Sequence, residues 1–279
     1  MTLAETKKSY PHLAADYVRK LQPDFKPRVG IVLGSGLGQF VDTLTHCTYI
    51  NYADLPGFPE LTVAGHASQM ILGYCGDVGV VCLQGRAHTY EGPEHYDTVK
   101  TYVRTLKLLG CEHFIATNAS GSLRAEVGPG ELVLISDHIN LQPFNPLVGP
   151  NDEAFGPRFY PLDNAYDKHM RENMLTIADK HSIRLWEGVY ISVLGPHYET
   201  AAEIRAFTLL GAEVIGMSTV PEVLVANHCG MKVAVIATIT NLATGLASES
   251  HSHEAVVKMA NQASEKLNTL VGQYISEFL

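Results

Sequence analysis

The chain has 279 residues, of which 46% are hydrophobic and 18% charged, a composition that excludes a disordered chain and suits a well-buried globular one. A formal charge of -9 argues against a general nucleic-acid binder, so any anionic substrate must be held by local positive groups. Cys47, Cys75, Cys82, Cys111 and Cys229 are scattered and never form a Cys-x-x-Cys pair; they read as reduced thiols. With no apolar leader or membrane-length run, a cytoplasmic location is expected.

In chain order, a helix is predicted from about Pro11 to Leu21, with Leu13, Ala14, Tyr17, Val18 and Leu21 on its inner face. Val29–Leu33 reads as a buried strand, short and β-branched, that ends in Gly34-Ser-Gly-Leu-Gly38. Those glycines free the backbone N–H groups to converge on an anion, and the Ser35 hydroxyl can join them. The spacing is not the dinucleotide fingerprint, because position 39 is Gln and the third glycine comes one residue early; no lysine follows as a Walker A loop requires. A tight turn without a ligand stays open at this point.

Leu55–Pro59 forms a rigid turn, and strands are predicted at Met70–Gly73 and Val78–Leu83. The second runs into a polar loop, Gln84–Gly92, where Arg86, His88 and Tyr90 alternate. An extended backbone would put all three on one side. Arg86 suits bidentate contact with phosphate oxygens and His88 can add a hydrogen bond, against the plainer reading of Arg86 as a surface ion pair.

Asp97–Leu109 is an amphipathic helix with Val99, Tyr102, Val103, Leu106 and Leu109 inward, stopped by Gly110. His113–Thr117 is a strand followed by a loop, Asn118–Gly121, able to offer a backbone N–H. A strand at Glu131–Ser136 precedes a long loop over residues 142–164, rich in Pro, Asn, Gly and Asp; such loops are functional or cover an interface. Ala165–His181 reads as helix and Gly188–Val193 as strand.

Glu199 lies just ahead of the next helix, as a ligand or as an acid favoured by the helix dipole. After a strand at Glu213–Met217, Ser218 starts a helix as a cap or as a ligand. Lys232–Thr238 is the last strand, followed by Asn241. The final helix runs from about His253, with Val256, Ala260, Ala263, Leu267, Leu270, Tyr274 and Phe278 in register. His251 and His253 lack a third ligand at metal spacing, so no metal is expected. Residues 1–279 are expected to form one α/β domain, a central mixed, largely parallel sheet flanked by helices, with its chemistry where strands end in loops.

Leu33–Gly38, Gly85–Gly92, Thr117–Ser122, Gly195–Thr200, Gly216–Val223 and Thr240-Asn241 together resemble the trimeric purine nucleoside phosphorylases, in the family's order and spacing from about Pro23 onward. The resemblance implies a nucleoside phosphorylase-like fold and reversible phosphorolysis of 6-oxopurine ribonucleosides and deoxyribonucleosides in purine salvage. The products are free base and ribose 1-phosphate, with phosphate as co-substrate and no metal or organic cofactor. It implies a phosphate site of Ser35, His66, Arg86, His88, the Ala119 backbone and Ser218. Ribose would meet Tyr90, Met217, His253 and Phe159 of a neighbouring subunit in a homotrimer. The purine would meet Tyr198, Glu199 and Asn241. His88, Glu199 and Asn241 would be the catalytic groups.

Tyr198 stands where Phe is common and Leu242 where the mammalian enzymes have Lys; with a short Asn241–His253 segment, these features resemble bacterial members. Glu199 and Asn241 suit inosine and guanosine, while xanthosine stays open. Two rivals remain, a nucleoside hydrolase and a non-catalytic nucleoside-binding protein. The first leaves Ser35, Arg86 and His88 without a purpose, and the second predicts inosine binding without turnover.

Overall fold

In the computed structural model the described residues are 9–34, 38–61, 67–246 and 253–279. They form one nine-stranded mixed sheet with helices on both faces. The strands are β1 (Pro27–Leu33), β2 (Thr45–Asn51), β3 (Gln69–Cys75), β4 (Val78–Gln84), β5 (His113–Ser122), β6 (Leu132–Asn140), β7 (Leu185–Ser192), β8 (Val214–Gly216) and β9 (Lys232–Leu242). Their order is β2-β3-β4-β1-β5-β8-β7-β6-β9, and β9 also pairs with β5. That last pairing closes five strands on themselves, and β1 to β4 extend the sheet as a wing.

The helices are α1 (Tyr10–Leu21), α2 (Thr98–Leu109), α3 (Lys168–Lys180), α4 (Ala201–Leu209), α5 (Val220–His228) and α6 (His253–Phe278). The central strands are apolar almost without interruption because both faces are covered. Along β1, Val32 joins one core cluster with α1, α2 and α5, while Ile31 and Leu33 join the other with α3 and α6. Helix ends are set by local chemistry. Asp167 caps α3 by accepting from the Met170 N–H at 2.9 Å, worth about 1 kcal/mol. Gly110, at φ +114, ends α2 in the left-handed conformation that glycine takes without strain.

Several expectations are corrected. The inner face of α1 is Pro11, Ala14, Ala15 and Val18, leaving Leu13, Tyr17 and Leu21 exposed. Ala14 and Val18 pack with Tyr102 and Leu106 of α2, and the Thr105 hydroxyl reaches the Pro11 carbonyl at 3.5 Å, so the helix turns its bulkier stripe outward. Strand β2 went unpredicted, being a mostly exposed edge strand of Thr, His, Cys and Tyr. Strands β5 and β9 continue through Ser122 and Leu242 because they pair with each other along their whole length. Helix α3 starts at Lys168, after Asp167 takes the capping position. Phe278 is exposed at the end of α6 and stacks on Tyr274 at 6.0 Å. All five cysteines are free, and four are buried. Among the described residues no helix is long and apolar enough to cross a membrane.

Candidate active site

Strand β5 changes partner along one edge, and the site occupies the change. His113–Ala116 pairs with β1, and Gly121–Ser122 pairs with β8. Between them, Thr117–Ser120 has no strand on that edge among the described residues, while its other edge stays on β9. Successive residues of a strand turn their backbone groups to alternate edges. The Thr117 carbonyl accepts from Arg86 Nη1 at 2.7 Å on the open side, and the Ser120 carbonyl accepts from Thr240 at 3.2 Å on the β9 side. Ala119, in step with Thr117, therefore turns its N–H toward the opening. The segment expected as a loop offers its donor through a gap in the ladder.

The opening leads into a cleft of about 830 Å³, counted out to its mouth. It gathers Arg86, His88, Tyr90, Ala119, Tyr198, Glu199, Met217, Ser218 and Asn241 from five separate segments. Its lining sets Arg86, His88, Glu199, Ser218 and Asn241 beside Tyr90, Tyr198 and Met217, a mixture that suits a small polar molecule with an apolar face. Gly34 lines it at the end of β1; a Cβ there would meet the Thr117 carbonyl at 2.8 Å, so glycine alone permits this approach. Ser35 and His66 lie outside the described residues. His253 opens α6, and its side chain lies outside them too. Phe159 is not in the cleft; it is 90% exposed on the long connection between β6 and α3.

Arg86 is no surface ion pair. It is 2% exposed, and its Nε donates to Glu222 Oε1 at 3.0 Å, while Nη2 lies 3.5 Å from the Val32 carbonyl. Losing one member of such a buried pair costs about 3–5 kcal/mol. The turn after Arg86 is not extended, because Thr89–Glu91 forms a single 3-10 turn. His88 and Tyr90 nevertheless face the same cleft, with their rings stacked at 4.8 Å. The Glu91 carboxylate accepts from the His88 backbone N–H at 2.8 Å and lies 3.3 Å from Nδ1, which fixes the imidazole. Burial pushes the Tyr90 phenol up to about 12, so it stays neutral and can donate.

Ser218 does not cap α5, since Thr219 holds the capping position and makes no side-chain cap bond. Thr219 has φ +74 and ψ -52, and the Val220 N–H donates to the Ser218 carbonyl at 2.8 Å. This is a strained three-residue turn, unusual for a β-branched residue. Asn118 Nδ2 donates to Thr219 Oγ1 at 3.0 Å, and Ser192 Oγ donates to the Ser218 carbonyl at 3.0 Å. So held, Ser218 Oγ stands 3.5 Å from Arg86 Nη1.

At the other end, Thr200 and Glu203 form the capping box of α4, so the helix dipole is served without Glu199. Burial raises the Glu199 carboxyl above its ordinary range, and Glu203 adds to the rise. Asn241 belongs to β9 and does not follow it. Thr240 Oγ1 shares its one proton between Asn241 Oδ1, at 2.9 Å, and the Ser120 carbonyl, and Asn241 Nδ2 donates to the Leu242 carbonyl at 3.2 Å, which orients the carboxamide. Sequence reasoning gave no role to Glu222, Thr219 or Asn118. For Glu222 a signal was present, a lone carboxylate inside the apolar run Val220-Pro-Glu-Val-Leu-Val225.

The class follows from this arrangement and from the family model described as the Phosphorylase superfamily, which matches residues 28–276. The chain belongs to that superfamily and, within it, to the purine nucleoside phosphorylases. It is 44% identical over 245 residues to purine nucleoside phosphorylase 1 of Geobacillus stearothermophilus, covering 88% of this chain and 89% of that one. It is 41% identical over 265 residues to purine nucleoside phosphorylase 1 of Bacillus subtilis (strain 168), covering 95% and 97%. The fold matches the Schistosoma mansoni purine nucleoside phosphorylase in complex with adenosine at TM-score 0.90 and 36% identity, covering 96% of this chain and 97% of that one. The complex of that enzyme with inosine matches at TM-score 0.90 and 35% identity, covering 97% and 96%.

Proposed function

We propose that the chain, acting as one domain over residues 1–279, catalyses reversible phosphorolysis of inosine, guanosine and their deoxy forms. The observation that carries the reading is the sorting of groups along β5. Arg86 and Ser218 gather at Thr117, and Asn241 lies at Gly121, where a Cβ would meet its Nδ2 at 3.3 Å. Four residues of strand separate these ends by about 13 Å. Phosphate takes the first end, with Ser35, His66, His88 and the Ala119 N–H. The purine takes the second, against Tyr198. Ribose lies between them on Tyr90 and Met217, with His253 and Phe159 of a neighbouring subunit.

A phosphate oxygen bonds to C1′ as the C1′–N9 bond breaks, and the electron pair leaves with the purine. The dianion stabilises the cationic sugar. Asn241 stabilises charge gathering on N7 and the 6-oxo group, and Glu199 accepts from N1–H. Such preorganised hydrogen bonds lower a barrier by about 3–4 kcal/mol each. His88, held by Glu91, keeps the phosphate in line. The reading needs no metal or organic cofactor. It places a homotrimer in the cytoplasm, in purine salvage, and the exposure of Phe159 supports the trimer.

Adenine presents a bare N1 acceptor that Glu199 leaves unpaired, so adenosine turnover should lag inosine by about 10⁴-fold. Because the Schistosoma enzyme is known with both adenosine and inosine, the test belongs to turnover and not to binding. Steady-state kinetics with inosine, guanosine, xanthosine and adenosine in saturating phosphate decides it. Equal kcat/KM for inosine and adenosine would remove the 6-oxopurine assignment.

A further inference from the structure

Glu222 stands behind Arg86 and does not line the cleft. Its Oε1 accepts twice, from Arg86 Nε at 3.0 Å and from the Tyr102 hydroxyl at 2.8 Å. Its Oε2 is buried with no hydrogen-bond partner, and the residue is 2% exposed. An orphaned buried carboxylate oxygen is costly, and holding the guanidinium does not require it. One neutral acceptor would satisfy Nε, since the Thr117 carbonyl already holds Nη1. What a carboxylate adds is charge. In a poorly screened interior that charge reaches through the guanidinium to any anion on its other side.

Resting on the phosphate site proposed above, we infer that Glu222 is a positioning residue that also offsets the charge of Arg86, so that phosphate is bound loosely and keeps its negative charge for the reaction. With the pair intact, the anion meets a guanidinium whose positive charge is largely balanced. Without the carboxylate, Arg86 would grip phosphate harder, draw charge from its oxygens and weaken it as nucleophile and as partner of the cationic sugar. Affinity and turnover would then move in opposite directions.

The test is Glu222→Gln, which keeps the shape and one acceptor oxygen. Inorganic phosphate binding is measured by titration calorimetry, and kcat and KM by phosphorolysis of inosine. The expected result is a phosphate Kd about tenfold lower, a lower KM for phosphate, a kcat reduced about tenfold or more, and an unchanged KM for inosine. An unchanged or weaker phosphate Kd in the folded variant overturns the inference. It would leave the proposed function standing, provided that the wild type binds and requires phosphate; a wild type that does neither fails on both. Should the variant be unfolded in phosphate-free buffer, folding is restored with sucrose and the rise of the thermal midpoint with phosphate is compared with that of the wild type; a larger rise supports the inference, and an equal or smaller one overturns it.

Discussion

Met217 lies against Gly195 so closely that a Cβ on the glycine would meet its Sδ at 2.3 Å. Gly195 also has φ +72, in the region that favours glycine. The cleft wall from β8 and the loop carrying Tyr198 and Glu199 are thus fitted to each other through the absence of one methyl group. Gly195→Ala should push Met217 away from the proposed ribose position and lower kcat/KM for inosine by about 10²-fold, chiefly through the nucleoside KM. The KM for phosphate should hold. Steady-state kinetics with each substrate varied checks this; a change confined to phosphate would contradict the placement of Met217.

Glu199 carries a pH dependence with a definite sign. Burial raises its carboxyl above the ordinary value, so the folded chain takes up a proton there more readily than the unfolded one. Its contribution to stability is present below the unfolded pKa and is lost as pH rises through the folded one. Glu199→Gln should therefore raise the thermal midpoint of the free enzyme at neutral pH while lowering kcat/KM for inosine by about 10²- to 10³-fold. The part of the acid limb of kcat/KM that Glu199 sets should lie above the usual carboxylate value and be lost in the variant, leaving the part set by the second ionisation of phosphate. Calorimetry and a pH–rate series measure both.

Asn241 should set the choice of purine. Its Oδ1 is occupied by the Thr240 hydroxyl, which orients the carboxamide in the cleft. Asn241→Asp replaces a donor with an acceptor and should move the inosine-to-adenosine ratio of kcat/KM toward adenosine by about 10²-fold or more. An unchanged ratio would take Asn241 out of base recognition.

Phe159 has no place in the cleft of its own chain, and 90% of it is exposed. If it serves the neighbour's ribose site, light scattering should give three times the 30.4 kDa chain mass. Phe159→Ala should then raise the inosine KM by about tenfold without changing the phosphate KM. A fully active monomer would refute the shared pocket.

Much of the cleft's lining was legible because it sits near strand ends, where short apolar runs give way to Gly, Arg, His or Asn. Arg86, His88 and Glu199 stand beyond such breaks, and Asn241 in the last pleat before one. The rest depends on pairing between distant segments. Nothing local to Asn118–Gly121 shows that β9 will hold it as strand, and nothing local to Arg86 shows that a carboxylate on α5, 136 residues later, will bury with it. The inner face of α1 is not legible locally for a related reason. Hydrophobicity favours Leu13 and Tyr17, but the closeness of α2 admits only Pro11, Ala14, Ala15 and Val18.

In the proposed reaction phosphate, and not water, attacks C1′. Running the inosine reaction with phosphate in ¹⁸O-enriched water, and weighing the sugar product by mass spectrometry, tests it most directly. The expected result is ribose 1-phosphate with no label at C1 and no hypoxanthine release when phosphate is left out. Free ribose in place of ribose 1-phosphate, with hypoxanthine still released when phosphate is left out, would contradict it.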